Sequence, residues 1–124
     1  MSMMRRMLRM GMLSGGKPDK KKACVKACQD CSAACDSAIV HIKQNPENFP
    51  QQLINLLTDC FYYTKLMAEF IERDSVFTKP VYNVGKSICE LCKEECNKFP
   101  DVAELNKVVH ECEQCINSCV VYLS

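Results

Sequence analysis

Cys24-Val25-Lys26-Ala27-Cys28-Gln29-Asp30-Cys31-Ser32-Ala33-Ala34-Cys35 sets four cysteines at offsets 0, 4, 7 and 11. That spacing draws one stripe along an α-helix, because residues three, four and seven apart share a face. The same stripe recurs twice. Cys89, Cys92 and Cys96 fall at offsets 0, 3 and 7, and so do Cys112, Cys115 and Cys119. A fourth segment holds only Cys60, but Met67 lies seven residues on, and Leu53, Leu57, Thr64 and Ile71 continue that face. The cysteines therefore take the inward positions where Leu and Ile would line a helical bundle.

The prolines divide the chain into the segments this pattern needs. Pro18, Pro46, Pro50, Pro80 and Pro100 bound four stretches of helical period. The spacing predicts a first helix from about 19 to 43 and a second from about 50 to 73, with Pro50 suited to a first turn. A third runs from about 78 to 99. A fourth opens at Asp101, with Glu104 three residues on as a capping box. Short connections make neighbours antiparallel, so the fold predicted is all-α: an up-down four-helix bundle over residues 19–124, preceded by a flexible arm over 1–18. Gly85 falls inside the third segment and marks either a close helix approach or a late helix start.

Folding the helices antiparallel brings the sulfurs together by level. Cys35 falls near Cys60 and Cys92; Cys31 near Thr64, Cys89 and Cys112; Cys28 near Met67 and Cys115; Cys24 near Cys119. The far end, around Ile42, Leu53, Phe99 and Leu105, is hydrocarbon. Such a column suits a soft metal. Thiols one turn apart have Cβ atoms about 5–6 Å from each other, and Cu(I) accepts few ligands and prefers thiolate and thioether sulfur. Zinc prefers a closed tetrahedron from two short pairs, and the run of cysteines that signals an iron–sulfur cluster is missing. Buried protonated thiols also pack as small hydrophobes, so the bundle can fold empty.

Eleven cysteines in 124 residues point either to disulfides in an oxidising compartment or to metal and redox chemistry in the cytosol. Eleven is odd, so full internal pairing leaves one thiol over. The twin C-x3-C pairs Cys92/Cys96 and Cys115/Cys119 support a disulfide-stapled structural or chaperone module as one alternative. An iron–sulfur or other electron carrier is a second. The net charge of +1 favours no partner, yet seven of the sixteen Lys and Arg lie in residues 1–22 against one acid. The rest is mildly acidic, a poor surface for nucleic acid. No apolar run reaches the ~18 residues of a membrane span.

The arm holds six of the seven methionines together with Arg5, Arg6 and Arg9. Arg9 and Gly11 break the apolar run a secretory signal needs, so the protein reads as cytoplasmic. Arg5-Arg6 is a weak echo of an export signal. A soft-donor role for the methionines is the sharper reading of this segment.

At these residues the chain resembles the bacterial copper storage proteins. The matching stretches are Ala23 to Cys35, Asp59-Cys60, Ile88 to Cys96 and Cys112 to Cys119, within about residues 22–122. The resemblance implies a homotetramer of bundles. Each would load several Cu(I) ions through one open end, for storage, buffering or detoxification, with no catalytic step. It implies Cys24, Cys28, Cys31, Cys35, Cys60, Cys89, Cys92, Cys96, Cys112, Cys115 and Cys119 as ligands; Met67, which faces the column, reads either as an added thioether ligand or as core filler. Copper would arrive from a copper chaperone or a small-thiol donor. The chain departs from that pattern at Ala38, Ile42, Leu57, Thr64, Leu105 and Val108, where the family often has Cys. Phe99-Pro100-Asp101 also replaces a histidine-rich turn. Lower capacity or a different way in follows from those changes.

Other residues carry less. His110, two positions before Cys112, points away from the column, and His41 reads as a surface residue. Phe61, Tyr62, Tyr63 and Phe70 read as core or helix interface. Lys20-Lys21-Lys22 reads as a solvated first turn. No Cys/His pair has nucleophile spacing, so the chain is not read as an enzyme.

Overall fold

A computed structural model of the chain describes residues 16–124. It contains four long helices: α1 (Lys17–Gln44), α2 (Gln51–Glu72), α3 (Thr78–Cys96) and α4 (Ala103–Leu123), with one 3-10 turn at Pro46–Asn48. Each helix packs on two neighbours: α1 on α2 and α4, and α3 on the same two. The diagonal pairs meet only through side chains on the axis, so the four form a square, sequentially wound antiparallel bundle. The expected Met- and Arg-rich arm lies, over residues 1–15, outside the described residues.

Local chemistry sets the ends. α1 starts two residues earlier than its pattern predicts, because Pro18 sits in the first turn, where a missing N–H costs nothing. Lys20 N–H reaches back to Gly16 O at 3.2 Å. Pro46 stops α1, since the residue before a proline is pushed from helical geometry. Pro50 is the extended cap of α2 (φ −73°, ψ 151°) rather than its first helical residue, and its carbonyl accepts from Leu53 N–H at 3.1 Å.

The α2–α3 turn closes with Asp74 in the left-handed region at φ 53°. Asp74 N–H donates to Ile71 O and Ser75 N–H to Phe70 O, the paired bonds of a helix-terminating turn that usually takes glycine there.

Two predicted boundaries move. α3 ends at Cys96 rather than Phe99, and Lys98 and Phe99 N–H bond three residues back to Glu95 and Cys96 carbonyls. The capping box at Asp101/Glu104 does not form. α4 begins at Ala103 behind Val102, whose carbonyl accepts from both Leu105 and Asn106 N–H, and no side chain caps it. Glu104 is engaged elsewhere: its carboxylate lies 3.5 Å from His41 Nδ1.

Gly85 is resolved in favour of close approach. It is buried within α3, and a Cβ there would collide with Met67 Sδ and crowd Tyr63. Met67, only 1% exposed, uses the space that glycine leaves.

Candidate metal centre

All eleven cysteines are completely buried, at 0% exposure each. Ten fall on the three stripes that α1, α3 and α4 present to the axis, and Cys60 completes the set from α2. Burial of this many small side chains on one line makes the interior a sulfur array rather than a hydrocarbon core with occasional thiols.

The middle of the array is a layer with one cysteine from each helix. Cys31, Cys60, Cys89 and Cys112 have all their sulfurs within 4.8 Å of one another. Within it Cys31 lies 3.8 Å from Cys60 and 3.6 Å from Cys112, and Cys60 lies 3.9 Å from both Cys89 and Cys112. Cys35, Cys60 and Cys92 make a second group, so Cys60 belongs to both. Toward the start of α1, Cys28 meets Cys115 at 3.4 Å and Cys119 at 3.7 Å, and Cys24, Cys28 and Cys119 form a third group. The predicted neighbours Cys35–Cys60–Cys92, Cys28–Cys115 and Cys24–Cys119 are all brought together.

One level differs from the prediction. Cys31 shares its layer with Cys60 as well as with Cys89 and Cys112; Thr64 was the α2 residue expected there. Thr64 is fully buried, and its hydroxyl donates to the Cys60 carbonyl at 2.7 Å, one turn back on its own helix. Its polar atom is thus satisfied locally. Cys96 is buried but belongs to none of the three groups; it stands on the side of Cys92 away from the four-sulfur layer.

Cys24 and Cys119 are joined as a disulfide, with Cα atoms 5.1 Å apart, and the other nine cysteines are free. One bridge at one end of the array is far from the two-by-two pairing that a disulfide-stapled module needs. The twin pairs Cys92/Cys96 and Cys115/Cys119 are not bridged to each other.

Hydrogen bonds sort the free thiols. Burial pushes Cys31, Cys35, Cys60, Cys89, Cys92, Cys112 and Cys115 upward, but neighbouring S–H groups act in both directions. Cys31, Cys60 and Cys92 are pushed up, foremost through Cys112, and Cys115 is pushed up foremost through Cys28. Cys112 is held down to about 6, first by the S–H of Cys31 and then by that of Cys60. Cys35 is lowered by Cys31 before others, and Cys89 by Cys112. Sulfur neighbours, rather than water, thus set how readily each of these thiols gives up its proton.

The remaining candidates belong to none of the three sulfur groups. Met67 is buried on the inner face of α2, with its sulfur against Gly85. His110 is exposed as predicted. His41 is half-buried rather than fully on the surface, between Glu104 and the edge of Phe49, whose ring centroid is 6.1 Å away. Beyond Cys35, Cys92 and Cys96 the core is hydrocarbon, as predicted: Ala38, Ile42, Leu53, Leu57, Leu105 and Val108 are all at 0% exposure. Phe49 and Phe99 pack over that end with ring centroids 5.3 Å apart. Of the aromatics read as core or helix interface, Tyr62 is exposed and so not core, while Phe61 and Tyr63 pack on the core's edge.

Sulfurs at these separations, drawn from four rigid helices, can close on soft ions with two or three thiolates each, and the four-sulfur layer offers a tetrahedral set as well. Comparison with known proteins agrees with this geometry. The chain is 30% identical over 78 residues to the "Uncharacterized cysteine-rich protein YhjQ" of Bacillus subtilis (strain 168), a match covering 62% of this chain and 72% of that protein. Its fold is similar to the solved structure described as "Cu(I)-bound Copper Storage Protein BsCsp3". The TM-score is 0.78 at 25% sequence identity, over 85% of this chain and 99% of the other. The family model described as copper storage protein matches residues 17–124, the whole of the bundle, and the chain belongs to that family.

Proposed function

We propose that this protein stores several Cu(I) ions per chain inside its bundle, held by the thiolates of its eleven cysteines once the Cys24–Cys119 bridge is reduced. The observation that carries the reading is the continuous run of buried sulfurs through which Cys60 joins two groups and Cys28 joins Cys115 to Cys119. Cu(I) suits it better than zinc does. Only one layer supplies a four-thiol shell, whereas groups of two and three sulfurs recur along the axis. Met67 is the proposed auxiliary thioether donor, being soft, buried and on the same face of α2 as Cys60.

The empty bundle is already complete, because protonated thiols pack as apolar groups. Metal therefore displaces protons from a preformed interior, and the protein acts as a reservoir with no catalytic step. Among the described residues no helix is long and apolar enough to cross a membrane. The free thiols fit a reducing, cytoplasmic setting, with copper arriving from a chaperone or a small thiol. Exposed Tyr62 and Leu66 on α2, beside Val84 and Leu91 on α3, support association of copies into the tetramer the family pattern implies.

Metal analysis together with a thiol count on anaerobically purified protein tests the reading. Storage predicts copper as the main metal and nearly all thiols reactive once it is stripped. Iron with visible colour would instead support an electron carrier, and few reactive thiols a stapled module.

A further inference from the structure

The two ends of the sulfur array are closed by different physics. At the end formed by the C-terminus of α1 and the N-terminus of α4, fully buried Ala38, Ile42, Leu53, Leu57, Leu105 and Val108 separate the last thiols from water. Opening that end means exposing all of them together, against the hydrophobic effect. At the opposite end the sulfurs run almost to the helix termini. Cys24 is seven residues into α1, and Cys119 is four residues from the last residue of α4. Val25, Met67, Ala68, Ile71 and Tyr82 are buried apolar side chains toward that end.

What spans that end is polar and exposed. Lys21 Nζ pairs with Asp74 at 3.0 Å, linking α1 to the α2–α3 turn. Lys17 Nζ donates to the Tyr122 carbonyl and lies over its ring, linking α1 to α4. Lys21 is one turn before Cys24. Asp74 holds the left-handed position that glycine would fill with less strain, and its carboxylate is the Lys21 partner. Exposed ion pairs break readily and are weakened by salt. Lys17, Lys20, Lys21 and Lys22, with Arg73 and Lys79 from the facing elements, outnumber Asp19, Glu69, Glu72 and Asp74 toward this rim, and Arg73 is paired with Glu69.

Resting on the storage reading, we infer that the Cys24/Cys119 end is the port by which metal reaches the array, that Lys21–Asp74 is its latch, and that the basic rim receives Cu(I) as an anionic bis-thiolate complex of a small thiol. The exchange balances: the complex, carrying one negative charge, gives its Cu(I) to Cys24 and Cys119. Their two protons pass to the two departing donor thiolates, and the new bis-thiolate keeps the negative charge. When Cys24–Cys119 is oxidised, two molecules of the same small thiol first reduce it, forming one small-molecule disulfide and two cysteine thiols. The ion then moves inward through Cys28 and Cys115 to the four-helix layer.

Loading kinetics test this. The fully reduced chain is mixed with the Cu(I)–glutathione complex, and both the rate and the final copper content are read. Asp74→Ala releases the latch and removes a negative charge, so loading should quicken about two- to fivefold at unchanged copper content. Lys20→Glu, which reverses one rim charge and leaves the Lys21–Asp74 pair in place, should slow it by a similar factor. Glu104→Ala, which frees His41 at the apolar end, should leave the rate alone. Normal copper content with an Asp74→Ala rate equal to wild type, or a faster rate in Glu104→Ala, overturns the port while storage stands. A wild type that takes up no copper overturns storage itself, and the port with it.

Discussion

Cys31 of α1 and Cys60 of α2, 29 residues apart in the chain, bring their sulfurs to 3.8 Å in the one layer to which all four helices contribute. Because Cys60 also faces Cys35 and Cys92, it joins two stretches of the array that would otherwise be separate. Cys60→Ser should therefore lower Cu(I) capacity more than Cys96→Ser, which removes a thiol outside the three groups. Ser is close to Cys in size, so the apo bundle should stay folded, with a stability change within about 1–2 kcal/mol. Competitive chelator titration beside thermal unfolding checks both halves. Equal capacities would show that Cys60 links nothing.

Thr64→Cys should have the opposite effect. The hydroxyl it removes bonds only to a carbonyl of its own helix, and the position is already buried on the inner face. A thiol there extends the α2 contribution from one thiol to two. Capacity should rise by up to about one ion per chain, with helicity unchanged. The same titration reads it, and a loss of capacity would contradict the placement of α2.

Affinity should fall with pH, and the sign follows from the thiols. Cys31, Cys60, Cys92 and Cys115 are pushed above their ordinary value of 9.0, so the empty protein keeps those protons through the neutral range. The loaded protein has surrendered them. Acid therefore favours the empty state, about tenfold in affinity per pH unit for each proton displaced. Proton release on loading, followed in weak buffer, measures the number directly. For the same four groups the raised folded values mean that apo stability is full below pH 9.0 and drains away as pH rises beyond it, when unfolded thiols ionise first. Alkaline unfolding curves of the reduced protein check that limb.

Gly85→Ala should destabilise the apo bundle even though alanine is the better helix former. The propensity gain is at most ~1 kcal/mol. The added methyl meets Met67 Sδ and crowds Tyr63 in a site where Met67 is 1% exposed, and overpacking of that kind costs about 1–3 kcal/mol. In a Met67→Ala background the clash disappears and the same substitution should become neutral or stabilising. Denaturant unfolding of the four proteins gives the coupling; additivity would mean that the two residues do not compete for one space.

The stripes of α1, α3 and α4 were readable because a three- or four-residue repeat of one rare side chain leaves little freedom in which face points inward, and the bundle follows from three such stripes. The hydrocarbon end was readable in the same way, from Ile42, Leu53 and Leu105. The level of α2 was readable only in part: Cys60 meets Cys35 and Cys92 as expected, and Cys31 as well. With Cys60 as its lone cysteine, its height is set by the 3-10 turn at Pro46–Asn48 and by Pro50 acting as cap instead of first residue, and neither has a periodic signature. The start of α4 escaped for a different reason. Asp101 and Glu104 have the spacing of a capping box, but His41, 63 residues earlier in sequence than Glu104, competes for the carboxylate, and only the fold brings it there. Gly85 was ambiguous from sequence since nothing near it in the chain names Met67 as its neighbour. The Lys20-Lys21-Lys22 run looked like solvated surface until the α2–α3 turn placed Asp74 against Lys21.

The decisive measurement is a titration of anaerobic, fully reduced protein with Cu(I) against a competing chelator of known affinity. Sulfur continuity along the bundle predicts several copper ions per chain, each held tightly enough to be drawn from the chelator. Saturation at one ion or fewer, or ions the chelator readily keeps, would contradict a reservoir built from these eleven buried thiols.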